Sequence, residues 1–165
     1  MIVLPKEKIK AKVENPRFLI IFGKPKAGKT TLASKLDNNL IVDLEGGSEF
    51  LEALAVQARS VKDLGEIANA IRTEIKETGK KPYKYITLDN ASRLEEICLS
   101  YAVQLYKATP MGKTYNGTDV RTLPNGSGYM YLQQAVRKVI DMFITAYDAE
   151  TGEKTGELYR ETDEK

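Results

Sequence analysis

The chain has 165 residues, 42% apolar and 29% charged, which suits one globular domain with a sizeable core and argues against intrinsic disorder. It has no histidine and a single cysteine, Cys98, which excludes histidine metal sites, a histidine general base and an internal disulfide, and fits a reducing cytoplasm. The net charge of +2 permits nucleic-acid contact without demanding it. No apolar stretch approaches the roughly 20 residues that span a bilayer, and MIVLPKEKIKAK lacks a secretory pattern, so no membrane contact is expected.

In chain order, RFLIIF (17–22) reads as a buried strand, short and apolar between Pro16 and Gly23. Residues 29–37 read as a helix opening on a glycine-bearing loop, and NLIVDLEGG (39–47) as a second strand stopped by paired glycines. A helix is expected from about Ser48 to Arg59. Ser60 and Asp63 mark the start of another, with Leu64, Ile67, Ile71 and Ile75 on its apolar face and Gly79 as its stop. YKYITLDN (83–90) reads as a third strand. Ser92 and Glu95 are spaced as a capping box for a helix reaching about Tyr106. Residues 108–128 are rich in turn formers and predict a long exposed loop. A helix returns from Tyr129 to about Phe143, with Ala135, Val136, Val139, Ile140 and Phe143 on one face. Residues 1–147 are expected to form the domain. Residues 148–165, with seven acids and three bases, are expected to form a polar tail, or a hairpin pairing FITAYD with ELYRET.

Strands alternating with helices predict an α/β domain with a mainly parallel sheet, ligands sitting beyond the carboxyl ends of its strands. The unusual residues fall there. Residues 23–30, GKPKAGKT, match G-x-x-x-x-G-K-[ST] in full between a strand and a helix. Such a loop turns its backbone N–H groups on phosphate oxygens, helped by the positive end of the following helix. The expected ATP cradle is Gly23, Lys24, Pro25, Lys26, Ala27, Gly28, Lys29, Thr30 and Thr31, with the side chains of Lys24 and Lys26 solvated. Lys29 is expected to reach the β- and γ-phosphates and Thr30 to offer its hydroxyl to Mg²⁺. The bland alternative is a lysine-rich surface turn. Asp89, closing YITLD, is the expected second metal group. Its alternative role is a helix cap.

With IVDLEGGSEF added, the chain resembles the RecA core family, and within it the small phage-type P-loop ATP-binding proteins related to single-strand annealing recombinases. The resemblance covers about residues 17–143 and implies a three-layer αβα P-loop NTPase with a RecA-like core. It implies that Glu45 activates the attacking water and, with Lys29, carries catalysis. It implies that Asp89 is the Walker B aspartate and leaves Asp43 without a role. It likens residues 108–128 and the helix after them to the family's first DNA-binding loop, and it implies a ring or filament of like subunits. In that loop Lys113 and Arg121 are candidate phosphate contacts, and Tyr115 a candidate base-stacking ring for single-stranded DNA. The equally plain reading is a surface loop with tyrosines packed at its base.

The sequence departs from that family in one place. A further central strand ending in a polar γ-phosphate sensor is expected after the last helix, and only FITAY resembles a remnant of it. The sheet is therefore expected to be incomplete, the chain a fragment, or the remainder supplied by a partner. Two other functions stay open: a small-molecule or nucleotide kinase with Asp43 binding the phosphate acceptor, and a non-hydrolysing, nucleotide-dependent annealing or assembly module.

Overall fold

The computed structural model describes residues 18–48 and 52–147. Strands β1 (Asn39–Asp43), β2 (Leu54–Gln57) and β3 (Tyr85–Asp89) form a parallel sheet in the order β2-β1-β3. Asp43 lies opposite Gln57 on one side and Asp89 on the other, so the three strands end level. β1 is buried along its whole length, as expected of a central parallel strand covered on both faces. Alternation sends Leu40 and Val42 to one face and Asn39 and Ile41 to the other.

The Leu40 and Val42 face carries three helices: α2 (Val61–Thr78), α3 (Ala91–Lys107) and α4 (Gly128–Tyr147). α2 starts at a reciprocal capping box between Ser60 and Asp63 and stops at Gly79 in the left-handed conformation. Leu64, Ala68, Ile71 and Ile75 form its buried stripe, which meets α4 through Ala135, Val139 and Phe143. Cys98 is fully buried in α3, and desolvation pushes its thiol up to about 11, away from thiolate chemistry. The opposite face of the sheet carries α1 (Lys29–Ser34). It is joined by polar contacts: Asn39 Nδ2 donates to the Ala33 carbonyl at 2.9 Å, and Thr87 Oγ1 donates to Asn39 Oδ1 at 3.0 Å.

Several sequence expectations are corrected. The segment 18–22 joins no strand, and its apolar side chains are exposed, Ile20 at 74% and Phe22 at 99%. An apolar run is buried only where a neighbour gives it a ladder and a face, and no described strand flanks β3 on its outer edge. Within 48–59 a strand replaces the expected helix, because pairing of Leu54–Gln57 with β1 overrides the helix propensity of a short apolar run. Helix α3 is capped by Asn90, which accepts from the Arg93 N–H at 2.9 Å, and not by the Ser92–Glu95 box.

The stretch 108–127 is not a loose loop. It contains 3-10 turns at Val120–Thr122 and Pro124–Gly126, and Val120 and Leu123 are buried in the core. A Cβ on Gly128 would overlap the Val120 carbonyl oxygen, so the chain enters α4 at a distance only glycine permits. α4 runs on through Tyr147, so the FITAY strand remnant and the FITAYD arm of the hairpin are helical up to that residue. The rest of the tail, 148–165, lies outside the described residues.

Candidate functional site

Gly23 to Thr31 wrap the corner where α1 meets the end of β3. A turn closes through Ala27 N–H to the Lys24 carbonyl at 3.2 Å. Lys26 and Gly28 both have positive φ, 62° and 84°, and Gly28 is the residue from which α1 starts. Left-handed backbone at alternate positions is a feature of turns that form anion nests. Lys29 folds back across the loop, its Nζ donating to the Gly23 and Lys24 carbonyls at 3.0 and 2.9 Å. Its ammonium therefore lies against the loop's own carbonyls.

Thr30 Oγ1 donates to Asp89 Oδ2 at 2.5 Å. Fifty-nine residues separate these two groups in sequence. Together they offer a hydroxyl and a carboxylate at one point, two hard oxygen ligands that fit Mg²⁺ completed by phosphate and water. Asn90 takes the capping role at α3, which leaves the Asp89 carboxylate for the site. The main chain of Asp89 is occupied too, its carbonyl accepting from Leu44 N–H at 2.8 Å. That bond ties the end of β3 to the turn after β1.

Glu45 lies in that turn and is exposed, and its carboxylate has no partner among the described residues. It lines a cleft of about 480 Å³ at the carboxyl ends of β1 and β2, shared with Gln57, Arg59, Arg93 and Glu96. Lys29 and Thr30 do not line it. Arg59 donates to Gln57 Oε1 at 3.2 Å, and Arg93 is ion-paired with Glu96. Gln57 and Arg59 escape the sequence reading because β2 does, and the register of Gln57 beside Asp43 brings them to the strand ends; Arg93 and Glu96 come from the first turns of α3.

Asp43 is 4% exposed, and its carboxylate is filled by donors from its own turn. It has no room for a phosphate acceptor, the role a kinase would require of it.

The three nucleic-acid candidates have different surroundings. Lys113 is exposed. Arg121 is held in a two-pronged pair with Asp119, Nη2 to Oδ2 at 2.6 Å and Nε to Oδ1 at 3.0 Å, which lowers the carboxyl's pKa and raises the guanidinium's. Tyr115 packs edge-on against Tyr106 with ring centres 5.2 Å apart, and its hydroxyl donates to the Asp119 carbonyl at 2.6 Å. Its ring is part of the loop's own packing.

No described helix is long and apolar enough to cross a membrane. No curated protein and no solved structure matches the chain. A family model described as an AAA domain matches residues 15–148, most of the sequence and all of the elements above. With a parallel sheet flanked by helices, and a glycine-lysine-threonine loop at its carboxyl edge, the chain belongs to this AAA domain family and has an α/β, P-loop NTPase-like fold.

Proposed function

We propose that the chain binds Mg-ATP in the corner formed by residues 23–31 and Asp89, and hydrolyses it with Glu45 activating water. The observation that carries the reading is the contact of Thr30 with Asp89. Two oxygen ligands of a divalent ion, remote in sequence, meet at the mouth of a loop built for phosphate. Bound magnesium would neutralise charge on the β- and γ-phosphates. Lys29 would exchange its two carbonyl partners for phosphate oxygens. The Glu45 carboxylate, unpaired among the described residues and at a cleft, is suited to accept a proton from water.

The finer reading is a RecA-like ATPase of phage recombination or replication that acts on single-stranded DNA in a ring or filament. It rests on the placing of Glu45 two residues past the end of β1 and on the exposed Lys113. With Tyr115 and Arg121 engaged in local packing, Lys113 is the candidate among the three best able to meet a phosphate. Calorimetric titration with Mg-ATP, paired with phosphate release with and without single-stranded DNA, tests both levels. Lys29→Ala is expected to lose nucleotide binding while keeping the fold. Glu45→Gln is expected to keep binding and lose turnover by about 10²-fold or more, the usual scale of a general base. Equal ATP affinity in folded Lys29→Ala protein would remove the P-loop reading.

A further inference from the structure

The turn after β1 contains a second carboxylate, Asp43, that takes no part in the chemistry above. Its Oδ1 accepts the backbone N–H of Glu45 at 2.9 Å and of Gly46 at 2.7 Å. Its Oδ2 accepts the backbone N–H of Ser48 at 2.8 Å and the Ser48 hydroxyl at 2.5 Å. Four donors occupy the lone-pair sites of one carboxylate. The group is therefore closed to metal and to substrate. Burial works against its charge, but the bonds from Ser48, Gly46 and Glu45 outweigh it and hold its pKa at about 2.

This carboxylate fixes the backbone beside it. The base of the turn is pinned by both neighbouring strands, Leu44 N–H to the Asp89 carbonyl and Ala58 N–H to the Asp43 carbonyl. Gly46 supplies the left-handed residue, φ 87°, that lets the chain reverse. Asp43 then holds the tip from inside. Glu45 is the residue of this turn whose main chain is clamped while its side chain stands free at the cleft.

We propose that Asp43, with Ser48, is a positioning device for Glu45: it sets the aim of a side chain whose carboxylate has no hydrogen-bond or ion-pair partner among the described residues to set it. The proposal rests on the reading of Glu45 as the water-activating group. It also explains why the acid precedes the active one by two residues. From the strand's last position an aspartate reaches back over the N–H groups that follow it.

The variants grade the device. Asp43→Asn turns an NH₂ group toward donors and releases one half of the turn. Ser48→Ala deletes a hydroxyl bond and leaves three backbone bonds. ATP affinity and single-turnover phosphate release are measured for both, for Glu45→Gln, and for each combined with Glu45→Gln. Amide hydrogen exchange is followed across residues 44–48. Asp43→Asn is expected to keep ATP affinity within about twofold and to slow phosphate release about tenfold or more, the scale of a misplaced catalytic group. Ser48→Ala is expected to slow it less. Either change made in Glu45→Gln protein is expected to cost nothing further, since residues acting through one group are not additive. Exchange at 45–48 rises in Asp43→Asn protein.

Losses that multiply in the double variants would show that Asp43 does not act through Glu45. Unchanged exchange at 45–48 would overturn the clamp itself. A wild type that binds ATP and releases no phosphate would instead overturn the role of Glu45 and, with it, the positioning role. If Asp43→Asn does not fold, the Ser48→Ala pair gives the same decision.

Discussion

The two faces of the sheet are held by different forces. On the α2, α3 and α4 face, Leu64, Ile75, Val139 and Cys98 are fully buried in a continuous apolar core. On the α1 face Ile41 and Ala33 are buried too, but directed polar ties stand beside them among the described residues: Thr30 to Asp89, Asn39 to Ala33, Thr87 to Asn39, Lys29 to its own loop. Each side chain buried on the first face contributes roughly 1.5–3 kcal/mol. Each hydrogen bond on the second contributes about 1 kcal/mol. The difference teaches where stability and function separate. Under the proposed function, a corner held by exchangeable polar contacts would trade them for phosphate and metal, and the helical face would keep the fold while it did.

The largest effect that tests this contrast is in the core. Leu64→Ala is expected to cost about 2–5 kcal/mol through lost contacts and a cavity. Thermal melts would register the loss, while ATP affinity of the folded fraction stays unchanged. A shift in affinity as large as the shift in stability would show that the two faces are coupled.

Acid reaches the turn after β1 next. The Asp43 carboxyl ionises more readily in the folded chain, near pH 2, than at its ordinary value near 3.8. Its contribution, about 2 kcal/mol by linkage, is complete above the ordinary value and fades as pH falls toward 2. Asp43→Asn should therefore be less stable than wild type at neutral pH and approach it in acid. Parallel stability curves from pH 7 to pH 2 would contradict this.

A smaller effect belongs to Ser60, where removal of the hydroxyl breaks one arm of the capping box on α2. Ser60→Ala should cost about 1 kcal/mol in denaturant unfolding. Smallest of all is Ile20→Lys, expected within about 0.5 kcal/mol of wild type because the side chain is exposed. A loss above that would mean that the segment 18–22 is packed in solution.

That last residue also shows what the sequence can disclose. The glycine-lysine-threonine motif is legible because it lies in eight consecutive residues, and the end of β3 at Asp89 because an apolar strand ends on it. The α2 boundaries are legible because Ser60, Asp63 and Gly79 act on their immediate neighbours. The burial of 18–22 is not, since five apolar residues state a need for neighbours without supplying them. β2 is hidden for the converse reason: residues of good helix propensity are drawn into a strand by β1. Val120 and Leu123 are too sparse among turn formers to announce a core, yet each is buried. The Gln57 and Arg59 wall of the cleft follows from that missed strand, while Arg93 and Glu96 come from α3.

Under the proposed function, Thr30 and Asp89 form the magnesium end of a nucleotide site. The most direct test is a magnesium titration of ATP binding, comparing wild type with Asp89→Asn and Thr30→Ala. The account predicts that magnesium strengthens ATP binding by wild type, and that each variant loses most of this dependence while retaining magnesium-free binding through Lys29. Identical magnesium dependence in all three proteins would contradict it and return the Thr30–Asp89 contact to a structural tie between α1 and β3.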